Sequence, residues 1–331
     1  MKKKGIGFAS AWQGSNLHFG HPDVSTVLIE LREDQKFYVG VAAADLGQGI
    51  PETTALIVSR VLGNLPLDKI VMIDPDTGAT PDGGATGASR QTSVTGNAAF
   101  NAANNMLDLL KSVSSELLNT SPSEVEFKSA AFFNQDGENV TLSDVIDEAK
   151  NIGTSLSVIG SFKAPSTEDL DEKGQGYGVN QFGYATYVAE VEVDTETGEV
   201  DVLKISTFVD AGRIIRKIGA EMQVEGGVTM ALGHTLTEEF KQENGWPLTD
   251  SFTTYLIPSI YDVPPEISAH FVEEEVPFGQ LGAKGLAELV LVPVAPAVIN
   301  AIYDAVGVYV TSLPATPERV LQAIKDQTPD L

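Results

Sequence analysis

Gly279-Gln280-Leu281-Gly282-Ala283-Lys284-Gly285-Leu286-Ala287-Glu288 is the stretch around which this 331-residue chain is best read. Glycines spaced this densely let a backbone fold closely around something. Glu288 then stands alone between Leu286-Ala287 and Leu289-Val290-Leu291. A carboxylate in apolar surroundings holds its proton more tightly than one in water, which suits a proton acceptor near neutral pH. The plain alternative is an exposed glutamate near a helix start, where the macrodipole favours negative charge. From these residues alone the plain alternative is the stronger.

Two more junctions upstream have the same character. Gly83-Gly84-Ala85-Thr86-Gly87-Ala88-Ser89 leads into Arg90-Gln91-Thr92-Ser93 at the start of a long expected helix. Hydroxyls and backbone N–H groups gathered there suit phosphate or another oxyanion. A surface loop with ordinary capping residues explains it equally well. Gly47-Gln48-Gly49 lies between an expected strand and a helix opened by Pro51, so free N–H groups would greet an anion. It lacks the third glycine of a dinucleotide fingerprint, and most turns of this kind are only turns.

Around these junctions the pattern mixes strands and helices. Val24–Leu31 and Lys36–Ala43 read as paired strands about a polar turn, and Lys69–Ile73 as a third. Val94, Ala98, Ala102, Met106, Leu109, Val113 and Leu117 give one side of a long helix. An Asp136-Gly137 turn separates two strand-like stretches, and Ser143 is expected to cap a helix ending at Gly153. Tyr187–Asp194 and Glu199–Asp210 alternate about Thr195-Glu196-Thr197-Gly198, a hairpin signal. A helix from about Gly219 to Leu232 holds Gly226-Gly227, for which a close backbone approach is the expected reason. Helices Pro296–Val306 and Pro317–Lys325 close the chain, the latter capped by Thr316. The expected division is 1–165 and 166–331.

Composition narrows the class. Apolar content of 42% with 20% charged residues is that of a folded chain. The longest apolar run, Leu289–Ile299, carries Pro293 and Pro296 and falls short of a bilayer span, so no membrane association is expected. Met1-Lys2-Lys3-Lys4 lacks the apolar stretch of a signal peptide behind it, and the chain reads as cytoplasmic. With no cysteine there is no disulfide, thiolate zinc site or thiolate-held iron–sulfur cluster. A formal charge of −25 argues against nucleic-acid binding. Four scattered histidines do not make a zinc site, although His18 and His21 have a spacing seen in metal sites. Trp12-Gln13-Gly14-Ser15-Asn16-Leu17 reads as a surface turn with one packed tryptophan.

Taken together, several stretches resemble the molybdenum-binding subunits of the xanthine dehydrogenase and aldehyde oxidase family. They are Gly47-Gln48-Gly49, Thr86-Gly87-Ala88-Ser89, Gln181-Phe182-Gly183-Tyr184-Ala185, Gln223-Val224-Glu225-Gly226-Gly227, Gly282 to Glu288, and Ser312-Leu313-Pro314-Ala315-Thr316-Pro317. Family members usually have Gly-Glu-Pro-Pro where this chain has Ala287-Glu288-Leu289-Val290. They also carry a comparable N-terminal half that supplies part of the substrate pocket, whereas this sequence opens at the second half. That split form is similar to the nicotinate dehydrogenases of anaerobic bacteria.

The resemblance implies an α+β fold of mixed sheets packed with helices, as in the second half of such a subunit. Residues 1–165 would form a molybdopterin-binding domain, and 166–331 a domain carrying the glutamate loop. Gln48 and Gly49, Thr86, Gly87, Ala88 and Ser89 with Gln91, Thr92 and Ser93, and Lys284 with Gly285 would hold the pyranopterin and its phosphates. Gln223 would contact the cofactor or an oxygen on molybdenum. Glu288 would be the base that takes a proton from the attacking hydroxide, and Asn16 and Leu17 would line the substrate pocket. The protein would give the metal no direct ligand, because the pterin dithiolene holds it.

The implied activity is hydroxylation, with water, of an N-heteroaromatic substrate such as nicotinate beside the ring nitrogen. The implied cofactor is molybdopterin, in its cytosine dinucleotide form, with a terminal sulfur or selenium on the metal. The implied partners are a larger molybdopterin subunit, an iron–sulfur subunit and an FAD subunit. Purine or aldehyde oxidation stays open, and carbon monoxide oxidation is disfavoured by the split form. Two readings of other classes compete: a scaffold that holds or delivers cofactor without catalysis, and a nucleotide-binding enzyme built on Gly47-Gln48-Gly49.

Overall fold

Alternation decides the first strands: along Val24–Leu31 the odd positions Ser25, Val27, Ile29 and Leu31 are buried and the even ones are not. The computed structural model describes residues 1–327. Its early strands are β1 (Lys2–Ser15), β2 (Val24–Leu31), β3 (Phe37–Val41) and β4 (Ile70–Ile73), with helix α1 (Ile50–Val61) between the last two. Helix α2 (Gly96–Leu117) leads to the short strands β5 (Glu126–Lys128), β6 (Ala131–Phe133) and β7 (Asn139–Thr141) and to helix α3 (Leu142–Asn151). Then come β8 (Ser157–Lys163), β9 (Gln181–Asp194), β10 (Val200–Asp210) and helix α4 (Lys217–Leu236). The chain continues with β11 (Gln242–Glu243), β12 (Trp246–Pro247), β13 (Glu266–Val272), α5 (Val294–Val306) and α6 (Pro317–Gln327).

The chain divides into two compact units, neither of them a single stretch. One consists of Met1–Gln13, Phe182–Glu274 and the residues from Leu286 onward; the other consists of Gly14–Gln181 and Glu275–Gly285. A single cut after residue 165 would part Met1–Gln13 and Glu275–Gly285 from the residues they pack with.

In the second unit the sheet order is β4-β3-β2-β8, parallel between β3 and β4 and antiparallel elsewhere. Helix α2 lies on this sheet through Gly160, where an added β-carbon would stand 2.1 Å from Ala102 N. Val94, Ala98, Ala102, Met106 and Val113 are buried as expected, but Leu110 rather than Leu109 enters the core and Leu117 is exposed. The cap of α3 is Thr141, not Ser143. Its hydroxyl accepts from Asp144 N while the Asp144 carboxylate accepts from Thr141 N, a capping box two residues earlier than expected.

In the first unit the sheet order is β1-β9-β10-β13, with β9 and β10 antiparallel and β10 and β13 parallel. Tyr187, Val191, Ile205, Val209, Val224 and Ile302 belong to its core. Strand β1 has no clear sequence signal because its apolar residues are sparse among lysines and glycines. Gly5 and Gly7 explain the sparseness: a β-carbon at either would fall 2.2 Å from the Ala301 backbone, so the strand lies directly on α5.

Leu289–Val306 also differs from expectation. It is a helical run of 18 residues with mean hydropathy 1.8, long and apolar enough by length and composition to cross a membrane. Pro293 and Pro296 do not shorten it, because they sit at the cap and first turn of α5 where the N–H is not needed. Leu289, Val290, Val294, Ala297, Val298, Ala301 and Ile302 place it in the core of this unit.

Candidate functional site

Helix α2 is entered through one π-turn, Gln91–Thr95. Such turns widen the helix locally and recur at functional sites. Here the turn lets buried polar side chains point at two loops. Gln91 Nε2 donates to Ala85 O at 3.2 Å and Thr86 Oγ1 at 3.1 Å, and Thr86 Oγ1 also accepts from Ala44 N at 3.0 Å. The Gly83–Ser89 loop is thus tied to the Gly47-Gln48-Gly49 loop through Thr86 and Ala44. Asn97, one turn later, accepts from Gln280 N at 2.7 Å and Leu281 N at 3.3 Å and donates to Ser93 O at 2.6 Å. That anchors the third glycine loop to the same helix start.

Arg90 holds the Gly83–Ala85 bend from within. It is fully buried, with Nε on Asp23 Oδ1 at 2.6 Å and its terminal nitrogens on the carbonyls of Gly83, Ala85 and Val24. A guanidinium satisfied by one carboxylate and three carbonyls fixes a loop in a way an aliphatic side chain could not. Beyond it Ala88 and Ser89 both take left-handed backbone conformations, at φ 53° and 48°. Two successive non-glycine residues in that region carry strain, which persists where the surroundings over-determine it.

Gln181 is the hub. It is buried; its Oε1 accepts from Ser15 Oγ at 2.5 Å and Gly285 N at 3.2 Å, and its Nε2 donates to Ser93 Oγ at 3.3 Å and Ala283 O at 3.5 Å. One side chain therefore joins the end of β1, the π-turn and the Gly279–Gly285 loop. Packing makes the junction tight: a β-carbon on Gly285 would meet Ser15 Cβ and Ser89 O at 2.5 Å. Lys284 is buried beside it in sequence.

Asn16 is fully buried at φ 72°. Its N–H donates to Ala88 O at 2.9 Å and its Nδ2 to Asn180 Oδ1 at 3.1 Å, which leaves Asn16 Oδ1 buried with no partner. His18 Nε2 is likewise buried and unpartnered. Leu17 is half-buried, and its N–H donates to Asp23 Oδ2 at 2.7 Å. Gly87 is open, with nothing within 4 Å of a β-carbon added there.

Gly47-Gln48-Gly49 departs from its reading as a ready anion site. Asp45 Oδ1 already accepts from Gly47 N at 3.1 Å and Gly49 N at 3.2 Å. Gln48 folds onto its own loop, accepting from Leu46 N at 2.5 Å and donating to Ala44 O at 2.9 Å. A neighbouring carboxylate occupies the place an external anion would take.

Gln223 and Glu288 belong to the other unit. Glu288 caps the short 3-10 turn Leu289–Leu291 and is exposed; Leu289 and Val290 turn into the core while the carboxylate turns out. This is the plainer of the two sequence readings, an exposed glutamate near a helix start, and not a carboxylate in apolar surroundings. Gln223, half-buried, lies one turn before Gly227 on α4, and residues four apart share a helix face. Gly227 is where α4 meets the turn after Glu288, with a built β-carbon 2.3 Å from Val290 Cγ2. Gly226 is exposed and open, so only one of the glycine pair serves a close approach.

Thr86 to Ser89, Gln91 to Ser93, Lys284, Gly285, Asn16 and Leu17 are thus assembled in one unit. Ser15, Asp23, Arg90, Asn97 and Gln181 complete that assembly, although the sequence gives none of them a site role. Their signal is faint: buried polar residues next to glycine-rich loops, recognisable only once the loops are known to converge.

Residues 1–264 match the family model described as a molybdopterin cofactor-binding domain. The chain belongs to that family. Over 322 residues this molybdopterin cofactor-binding chain is 31% identical to a probable xanthine dehydrogenase subunit of Bacillus subtilis strain 168, covering 97% of itself and 42% of that protein. It is 30% identical over 306 residues to the 6-hydroxypseudooxynicotine dehydrogenase complex subunit gamma of Paenarthrobacter nicotinovorans, covering 88% of itself and 36% of that protein. Aldehyde oxidoreductase from Desulfovibrio gigas superposes with a TM-score of 0.83 at 29% identity, over 98% of this chain and 33% of that one. The family and the α+β class agree with the resemblance read from the loops. The molybdopterin-binding chain spans about two fifths or less of each of these proteins.

Proposed function

We propose that this chain is the part of a molybdenum hydroxylase that cradles molybdopterin between the Gly87–Ser89 bend, the Gln91–Ser93 turn and Lys284-Gly285. The observation that carries this reading is the Gln181 hub, which binds three distant segments into one rigid wall. The residues fit such a group. Open space beside Gly87 and the hydroxyls of Ser89, Thr92 and Ser93 suit a flat, polar, phosphate-bearing ligand. Gln48 and Gly49 flank it through the Thr86 link, and Gln223 serves as a contact from α4.

When bound, the molybdenum cofactor supplies the acceptor for two electrons from the substrate. The overall change converts a ring C–H and water into C–OH, two protons and two electrons. Glu288 takes one proton from the attacking oxygen. Its carboxylate stands outside the core, three residues beyond Gly285 in the sequence. Electrons leave on partner chains bearing iron–sulfur clusters and FAD, because a chain without cysteine offers no thiolate to hold a cluster. Asn16 and Leu17 face the substrate, and a larger molybdopterin chain completes the pocket. The cytosine dinucleotide form of the pterin, and a terminal sulfur or selenium on the metal, belong to the same reading.

The substrate in this reading is an N-heteroaromatic compound such as nicotinate. A relative that acts on 6-hydroxypseudooxynicotine, in name a nicotine derivative, supports this choice. A purine or aldehyde substrate is the second reading, favoured by relatives called xanthine dehydrogenase and aldehyde oxidoreductase. Turnover of the natively purified complex on nicotinate, hypoxanthine and benzaldehyde with an artificial electron acceptor tests the choice. Oxidation of nicotinate with oxygen drawn from labelled water is expected. Preference for either of the others would transfer the assignment to the second reading.

A further inference from the structure

Trp12 to Ser15, read from sequence as part of a surface turn with a packed tryptophan, is the end of strand β1 with Trp12 exposed, and the chain leaves the strand only at Asn16. From Asn16 to Gly20 the segment is held chiefly by its N–H groups. Asn16 N donates to Ala88 O at 2.9 Å, Leu17 N to Asp23 Oδ2 at 2.7 Å, Phe19 N to Gly178 O at 3.0 Å and Gly20 N to Thr167 Oγ1 at 3.1 Å. Asn16 and Phe19 both take left-handed backbone conformations, at φ 72° and 54°. Two buried polar atoms, Asn16 Oδ1 and His18 Nε2, have no partner. A strained segment with unsatisfied groups keeps its place only where its surroundings over-determine it.

Asp23 is the fixed point beside this segment. It is mounted on the sheet: Ala164 N donates to Asp23 O at 2.9 Å, one step beyond the ladder between β2 and β8. Its Oδ2 takes the Leu17 N–H and its Oδ1 takes Arg90 Nε at 2.6 Å, with both side chains buried. The other nitrogens of Arg90 reach the carbonyls of Gly83, Ala85 and Val24. Such a pair is weak evidence of added stability, because desolvating both charges offsets their attraction and apolar groups of similar volume often do as well. What it supplies instead is geometry: two acceptors on one carboxylate, and a rigid fork of donors opposite.

We propose that Asp23 and Arg90 are positioning residues that couple the Asn16-Leu17 segment to the Gly83–Ser89 bend, so that neither shifts without the other. The inference rests on the functional reading above, which sets the first segment against substrate and the second against cofactor, and adds the device that keeps them in register. The bond from Asn16 N to Ala88 O is a direct tie between the two, but one tie leaves a pivot. The bridge from Leu17 through Asp23 and Arg90 to Gly83 and Ala85 is the second tie, and two ties fix orientation as well as distance. Reaction rates depend steeply on such register, since a displacement of about 1 Å can cost about a hundredfold.

The test is made on the complex purified under native conditions, with deuterium exchange followed at residues 14–20 and 83–89. Asparagine at position 23 has one acceptor and one donor group, so Asp23→Asn can serve Leu17 or Arg90 but not both. Arg90→Lys keeps the charge and loses the fork. Asp23→Asn with Arg90→Gln buries no unpaired charge and guards against misfolding of the single variants. In each, both segments are expected to exchange about tenfold faster or more, although Arg90 bonds to nothing between residues 14 and 20. Molybdenum is expected to stay bound, while kcat/KM per molybdenum, on the best of nicotinate, hypoxanthine and benzaldehyde, falls about ten- to a hundredfold. Unchanged exchange at residues 14–20 in the Arg90 variants would overturn the coupling. So would activity that falls only in step with molybdenum content, or a neutral pair that does not fold, since either would leave the pair a local support. Joint loosening in a complex that holds no molybdenum would uphold the coupling and defeat the functional reading. A molybdenum-loaded complex whose two segments loosen independently would do the reverse.

Discussion

Gln181 Oε1 accepts a hydrogen bond from Gly285 N at 3.2 Å across 104 positions of sequence, and the same oxygen accepts from Ser15 Oγ. Replacing Gln181 by leucine keeps the volume and strands the Gly285 N–H and the Ser15 and Ser93 hydroxyls inside the protein. Each buried polar group left without a partner costs about 1–3 kcal/mol. Gln181→Leu should therefore lower the urea midpoint clearly and speed amide exchange at Gly285. An unchanged midpoint with protected Gly285 would remove Gln181 from its place as the hub.

Gly226 and Gly227 offer a paired comparison within one helix. Alanine at Gly226 meets open space and should be neutral or stabilising by up to about 1 kcal/mol. Alanine at Gly227 would push into Val290 and should destabilise by about 1–3 kcal/mol. Thermal unfolding of both variants checks the order. Equal effects would mean that α4 does not approach the Leu289–Leu291 turn as closely as described.

Glu288→Gln keeps the size of the side chain at this exposed position and removes its charge. If Glu288 takes the proton, turnover should fall by about a hundred- to ten-thousandfold while bound molybdenum is retained. Full turnover in the variant would leave the chain a scaffold for its cofactor.

Much of the fold can be read from sequence because local signals and tertiary packing agree. The paired strands β2 and β3, the Asp136-Gly137 turn, the β9–β10 hairpin and Gly307 closing α5 in the left-handed region all lie where the residues suggest. Strand β1 is illegible because Gly5 and Gly7 serve a long-range approach to α5, which no local pattern announces. In the site, the glycine loops are visible as glycines, but their convergence depends on Arg90, Asn97 and Gln181, whose partners are tens to hundreds of residues away. The anion reading of Gly47-Gln48-Gly49 misses Asp45, two positions upstream of the first glycine, which takes those N–H groups itself. Glu288 lies exposed at the start of a helical turn, as the plainer of its two sequence readings has it, with Leu289 and Val290 turned inward.

Elemental mass spectrometry of the natively purified chain, with its co-purifying subunits identified, tests the central claim most directly. The cradle of Gly87–Ser89, Gln91–Ser93 and Lys284-Gly285 predicts a stoichiometric amount of molybdenum per chain, released with a pterin on denaturation. A folded chain recovered with its companions but without molybdenum or pterin would contradict it.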